Sequence, residues 1–330
     1  MEDTSLLMPQ LVRPEQYPIV NDRTDKSSPF IEANTVSVSL SEMKDSHMIP
    51  VFTKDNEPLI SHVEFVEATR EIMASFYDGE EILGPTVRVS HPVKGRVPEA
   101  KYKSADDLLP WEKTLYYERM MFAIEVPSYS EIIDGNQLSL TVGGVKTYNK
   151  DNLYSRSQCD QHFKLFVGFQ NKICTNMCVW TDGFMSDVRV KDLGSLQMHL
   201  QHLLERYRIS MHLEAMKDLV KYTITERQFA QFIGKCRMFQ HLPASKKAGI
   251  KEVLFGDQQL GMVAKDYYKD KSFCRQPNGT ISLWKLYNLL TGANKSTYVD
   301  QFLDRSVNAY DIAEQLRWAV EGRENSWYLS

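Results

Sequence analysis

The chain has 330 residues, 42% of them hydrophobic, and a formal net charge of −4, the make-up of an ordinary globular protein with apolar content for one large core or two smaller ones. Its longest apolar runs fall far short of the roughly 18 residues that cross a bilayer, and the opening MEDTSLLMPQ lacks the basic and apolar segments of a secretory leader. Fibrous, disordered, membrane-spanning and secreted classes are therefore set aside, and a cytoplasmic location is expected.

Five cysteines, Cys159, Cys174, Cys178, Cys236 and Cys274, are odd in number and thinly spread, which fits free thiols in a reducing compartment. The sequons at Asn278 and Asn294 then carry no meaning. Charge is uneven along the chain: residues 1–190 hold 19 Lys plus Arg against 28 Asp plus Glu, and residues 191–330 hold 20 against 15. Solvated faces of two lobes produce such an excess without a partner, but a basic C-terminal half also suits an anionic one.

Residues 1–28 mix prolines, charges and serines without a period and read as a loose arm. Val36, Val38 and Leu40 alternate with polar neighbours as in a half-buried strand, and Ile49–Phe52 is a second extended piece. Ser61 followed by Glu64 is a capping pair that opens a helix carrying Phe65, Ala68, Ile72, Met73 and Phe76. A strand at Thr86–Ser90 runs into a Pro/Gly loop, and Arg88, His91, Lys94 and Arg96 make a candidate anion-binding loop, although exposed loop cations are more often simply solvated.

The run KTLYYERMMFAIEVP reads as one central strand. Its alternation turns Glu118 inward beside Met120, Phe122 and Ile124. A buried carboxylate needs a partner or a raised pKa, so Glu118 is the candidate functional acid, against the plainer reading of a solvated or Arg-paired strand-end residue. Asp134-Gly135-Asn136 carries turn chemistry. Leu138, Leu140 and Val142 then alternate until Gly143-Gly144, where a bulge or a close backbone approach is expected. No phosphate-binding loop follows. Cys174 and Cys178 with His162 lack the two tight ligand pairs of a zinc site and read as small buried side chains.

From Asp192 the apolar period changes to 3.6, and Leu196, Leu200, Leu203, Leu204, Tyr207, Met211, Ala215 and Leu219 form one stripe, predicting a single helix of about seven turns. His199, His202 and Glu205 flank that stripe and are assigned no metal. Thr225 and Gln228 cap a further helix. Residues 235–275 then hold Lys235, Arg237, Lys246, Lys247, Lys251, Lys265, Lys269, Lys271 and Arg275 against four acids, interleaved with Phe239, Phe255, Tyr267, Tyr268 and Phe273. Cations that track phosphates and rings that stack on bases are what a single-strand groove requires. The same composition also describes an amphipathic helical lobe whose rings face its core. Two more helices, SLWKLYNLLTG and Tyr298–Val320, close the chain. The predicted architecture is α+β: a flexible arm over 1–28, a mainly antiparallel sheet with one packed helix over 29–191, and a net-basic helical lobe over 192–330.

The phrases PFIEANT, ISHVEFVEA, RVSHPVKGRVPEA, YYERMMFAIEVP, LSLTVGGVKTYNKDNLYS and KLFVGFQNKICTNMC resemble an uncharacterised Bacteroidales family, a domain of unknown function, over most of the chain from Pro29. More distantly, the strand pair, the cysteine segment and the pattern Trp284, Asn288, Thr291 are similar to a broad family of phage- and plasmid-like proteins, although QNKICTNM lacks the arginine expected before the cysteine. Neither family brings an activity or catalytic residues. The resemblance implies a setting in mobile elements, whose cargo often concerns DNA. The expected function is a non-enzymatic DNA-metabolism accessory that binds single strands, with an enzyme acting on nucleotides or nucleic acid, or a host-protein-interaction factor, as alternatives. Single-stranded nucleic acid and further copies of the chain are the partners weighed, with no membrane, cofactor or metal.

Overall fold

The computed structural model of the chain describes residues 29–46, 59–151 and 160–330. The arm over 1–28, the extended piece at Ile49–Phe52 and Cys159 lie outside them. The elements in chain order are β1 (Val36–Ser37), α1 (Leu40–Ser46), α2 (His62–Phe76), β2 (Leu83–Val89), β3 (Pro92–Arg96), β4 (Lys113–Tyr117), β5 (Arg119–Ile133), β6 (Asn136–Thr147), β7 (Gln161–Asn171), β8 (Met177–Cys178) and β9 (Phe184–Val190). There follow α3 (Leu193–Arg206), α4 (Ile209–Lys221), β10 (Thr223–Ile224), α5 (Glu226–His241), α6 (Ala244–Lys247), α7 (Asp257–Lys269), β11 (Ile281–Ser282), α8 (Leu283–Asn294) and α9 (Val299–Val320). The fold is α+β, with a curled antiparallel sheet first and helices after it.

The main sheet runs β1-β2-β5-β6-β7-β8, with β9 also paired to β7. Its centre is the hairpin of β5 and β6, whose two-residue turn places Asp134 at φ 48° and Gly135 at φ 77°, the left-handed pair that matches strand twist in a tight hairpin. Both faces of the sheet are covered. Phe122, Ile124, Leu140, Val142, Leu165 and Val167 point into a large core shared with α2, α3, α4 and the later helices. Met121, Ala123, Val145 and Phe166 point the other way, into a smaller cluster closed by Phe30, Ile31 and the first turns of α9 through Val299, Phe302 and Leu303.

Four expectations are corrected by the structure. Leu40 does not continue a strand: Ser39 Oγ accepts from Glu42 N at 3.1 Å, and this local cap starts α1 after only two paired residues. The KTLYYERMMFAIEVP run is not one strand but breaks at Glu118, with β4 pairing to β3 in a separate two-stranded sheet. The Gly143-Gly144 pair does not interrupt β6; it lies within that strand, and the close approach is real. A Cβ on Gly144 would lie 2.6 Å from Lys164 O and overlap the ring of Phe65, so the glycine is the seat for that ring under α2. The stripe from Leu196 to Leu219 is two helices. Tyr207 leaves the helical region with ψ 128°, because its ring packs over Gly183 and its hydroxyl meets Nδ1 of His212 at 2.5 Å, while α3 packs on α2 and α4 on α8.

Cys178 sits in the larger core and Cys174 packs against it. Burial pushes the Cys178 thiol up to about 12 and the Cys236 thiol well above its ordinary value. Since the thiolate is the reactive form, native labelling with a thiol reagent is expected to leave both unmodified until denaturant is added. Rapid modification of either in the folded protein, read by mass spectrometry, would contradict this packing.

Candidate functional site at the open end of the sheet

Strand pairing brings the start of β5, the end of β6, the start of β7 and the end of β9 to one end of the sheet, since Arg119 is opposite Thr147, Lys146 opposite Phe163 and His162 opposite Arg189. On the face carrying the smaller cluster, this end opens into a cleft of about 310 Å³ walled by Val145, Thr147, Ser186 and Phe163, with Lys150, His162, Lys164, Arg189 and Asp187 supplying its charge. Asp187 is the one carboxylate among these lining residues.

A β-bulge builds the wall. Between Phe163↔Val188 and Leu165↔Met185 the register shifts, so that Ser186 and Asp187 together oppose the single residue Lys164. The extra residue reverses the strand's parity: Val188 and Val190 face the large core, whereas Phe184 packs with the smaller cluster. Bulges of this kind re-aim side chains, and here the bulge turns Asp187 toward His162, Nδ1 to Oδ1 at 3.3 Å. Arg189 Nε also donates to both Asp187 oxygens at 3.0 Å. Chiefly through Arg189, and then His162, the Asp187 carboxyl is held below its ordinary value. Lys164 donates to Asp300 O at 2.7 Å and also reaches the Asp304 carboxylate, anchoring the start of α9 to the cleft rim. Lys150 is exposed and forms no ion pair among the described residues.

Behind the cleft, on the opposite face of β6, lies a buried charge. Lys146 is fully buried, donates to Asp151 Oδ2 at 3.0 Å and Gln161 Oε1 at 3.1 Å, and stands 4.0 Å from the Phe163 ring centroid. Burial pulls its ammonium down to about 8 against the opposing attraction of Asp151. The other oxygen of Asp151 accepts from His162 N at 2.8 Å. One carboxylate thus neutralises the buried lysine and fixes the backbone that presents His162.

The candidate residues read from sequence are dispersed. Glu118 is not turned inward: its side chain is 37% exposed and 4.0 Å from Arg119 Nε, because the strand break there relieves the alternation that would have buried it. Arg88 belongs to β2 and donates to Thr35 O at 2.8 Å, away from the β3–β4 hairpin where His91 and Lys94 are exposed. Arg96 donates across that hairpin's connection to Lys103 O.

Among the C-terminal helices Phe239, Phe255, Tyr267 and Phe273 are buried, and Tyr268, 54% exposed, is the one ring of the five left accessible. Lys235 bonds the chain end through Trp327 O at 2.6 Å and Ser330 O. Arg237 pairs with Asp257, Lys251 with Asp311 and Arg275 with Glu226, and Lys247 donates to Gln240 O at 3.3 Å. Lys246, Lys265, Lys269 and Lys271 form no ion pair among the described residues.

The cleft residues Lys150, Lys164, Asp187 and Arg189 were not singled out from sequence, and His162 was weighed only as a metal ligand. The segment Phe184–Val190 reads in sequence as an ordinary alternating strand, with Phe184, Ser186, Val188 and Val190 on one face and Met185, Asp187 and Arg189 on the other, so the bulge left no local signal and shows only in the register. Among the described residues, no three His, Cys, Asp or Glu gather as a metal set, and no helix is long and apolar enough to cross a membrane.

The family described as "Domain of unknown function, B. Theta Gene description (DUF3871)" matches residues 15–329. The chain belongs to the DUF3871 family. No curated protein and no solved structure matches it. In this DUF3871 chain the cysteine segment and the Trp284, Asn288, Thr291 pattern meet in space. Asn176 Nδ2 donates to Asn288 O at 3.0 Å, and Lys295 Nζ donates to Thr175 Oγ1 at 2.9 Å. Trp284, Asn288 and Thr291 are all buried, so this pattern joins α8 to the sheet and offers no surface of its own.

Proposed function

We propose that the chain is a non-enzymatic accessory of nucleic-acid metabolism that holds a single strand by its phosphates in the sheet-end cleft. The observation that carries this reading is the convergence of Lys150, His162, Lys164 and Arg189 on one cleft with Asp187 as its sole lining carboxylate. Four basic side chains outnumber the carboxylates Asp187 and Asp304 that pair with them, a concave cationic excess attracts an anion more strongly than the same side chains spread over a convex surface, and phosphate is the anion a strand presents repeatedly. The sequence resemblance of the cysteine segment and the Trp284, Asn288, Thr291 pattern to phage- and plasmid-like proteins is the ground for taking DNA as the strand. The unpaired Lys246, Lys265, Lys269 and Lys271 enter the reading as a second, weaker basic surface.

The test is fluorescence anisotropy with labelled oligo-dT across a salt series. Binding is expected at low salt, and the double variant Lys150→Gln/Arg189→Gln is expected to weaken it about tenfold or more and flatten the salt slope by about 0.7 for each contact removed. A Lys246→Gln/Lys265→Gln/Lys269→Gln/Lys271→Gln variant is expected to weaken it less. Absence of binding by the unaltered protein at low salt, or an unchanged slope in the cleft variant, sinks the proposal. An oligonucleotide cleaved during incubation would replace it with the enzyme reading, for which His162 oriented by Asp187 is the acid–base pair to mutate.

A further inference from the structure

The β3–β4 hairpin stands outside the main sheet and carries the two most exposed large rings of the described chain: Tyr102 is 89% exposed and Trp111 69%. Exposed aromatic rings lose the burial that normally repays their apolar area, so two on one projection call for a ligand with a flat face. In the same hairpin Lys94, Lys101 and Lys113 are exposed, as are Glu99, Asp106 and Asp107, and Lys101 Nζ lies 4.8 Å from the Tyr102 ring centroid. In sequence Tyr102 lies between Lys101 and Lys103 and Trp111 stands two residues before Lys113, while Asp106 and Asp107 lie between the rings and Glu112 pairs with Lys103, so each ring is a separate platform with a cation beside it and not part of a continuous apolar protein patch.

The hairpin is also rooted beside the cleft. At its base Ser90 N donates to Arg119 O at 2.9 Å, and Tyr148 N donates to Glu118 O at 2.9 Å. Tyr148 begins the short 3-10 turn that ends at Lys150, a cleft-lining residue, and Arg119 is the ladder partner of Thr147 in the cleft wall. Hairpin and cleft therefore belong to the same end of the sheet, one presenting rings and the other cations.

We infer that Trp111 and Tyr102 are stacking platforms for the bases of the strand whose phosphates enter the cleft, an inference that rests on the cleft reading. The experiment compares labelled oligo-dT with inorganic polyphosphate, a base-free probe, on the full chain and on Trp111→Ala, Tyr102→Ala and Lys150→Gln/Arg189→Gln. Both rings are exposed, and circular dichroism checks that the variants are folded.

Each ring variant is expected to lose about 5- to 100-fold in oligo-dT affinity with its salt slope and its polyphosphate affinity unchanged. Tryptophan emission is expected to be quenched by oligo-dT in the unaltered protein and much less so in Trp111→Ala. Unchanged oligo-dT affinity in both ring variants, with the cleft variant weakened, overturns the stacking role and leaves the cleft reading standing. Equal losses for oligo-dT and polyphosphate also overturn it, since the rings would then act through structure. A cleft variant that binds both probes as the unaltered protein does overturns the cleft reading itself. A host protein captured through the hairpin without any oligo-dT binding overturns the inference in favour of a protein partner.

Discussion

Replacing Asp151 with alanine is expected to cost about 3–5 kcal/mol at pH 7, the range for stranding one member of a buried ion pair, and to return part of that loss at pH 9. The carboxylate is the counter-charge of a lysine with no solvent access, and Gln161, the other acceptor of that ammonium, is neutral. Burial already holds Lys146 at about 8 in the folded chain, against 10.5 as its ordinary value. Between those limits the unfolded chain holds a proton that the folded chain has released, so stability rises with pH there, by at most about 1.4 kcal/mol per pH unit.

Removing Asp151 removes the attraction that opposes desolvation, so the folded pKa falls further and the rise begins at lower pH. Urea unfolding at pH 7 and pH 9 on both proteins measures this, with a larger gain expected for the variant. A loss independent of pH would show that the lysine is not the group responsible. Because the same carboxylate holds His162 N, oligo-dT binding is expected to weaken in Asp151→Ala even where the fold persists.

Phe65→Ala is the second large effect, expected at about 3–5 kcal/mol as for other buried phenylalanines. The ring is fully buried and meets Phe122 and Phe163 edge-on, each at 4.9 Å between centroids. Gly144 exists in this strand to admit it. Gly144→Ala alone is expected to cost about 1–3 kcal/mol by overpacking, since Lys164 O is backbone and cannot yield as a side-chain tip can. The double variant is expected to lose less than the sum, because the new methyl enters the space the ring has left. Additive losses in chemical denaturation would show that ring and glycine are not packed together.

Much of the fold is legible in single residues. Ser61 with Glu64 and Thr225 with Gln228 form the reciprocal caps that their spacing announces, and Asp134-Gly135 makes the central hairpin turn. Such signals survive because the interacting atoms are within a few residues of each other. The strand break at Glu118 and the helix break at Tyr207 are not legible in this way. Each interrupts a good local pattern for a distant reason: the pairing of β4 with β3, and the seat of Tyr207 on Gly183. The cleft was hidden for the same reason, since Lys150, His162, Lys164, Asp187 and Arg189 come from three separate segments and converge only when β6, β7 and β9 pair.

By itself the sequence determined the α+β order of elements, the caps and the apolar faces, all carried by short-range periodicity and composition, while the family was carried by the resemblance of its sequence phrases. Tertiary structure alone decided which charges meet. It buried four of the five rings in the basic C-terminal segment and turned Glu118 outward, and it gathered the cations of β7 and β9 around a bulge. The physical reason is that apolar burial acts on any residue with the right surface, and many foldings of a pattern satisfy it. A charge cluster requires atoms within a few ångströms, which only the register of paired strands can set.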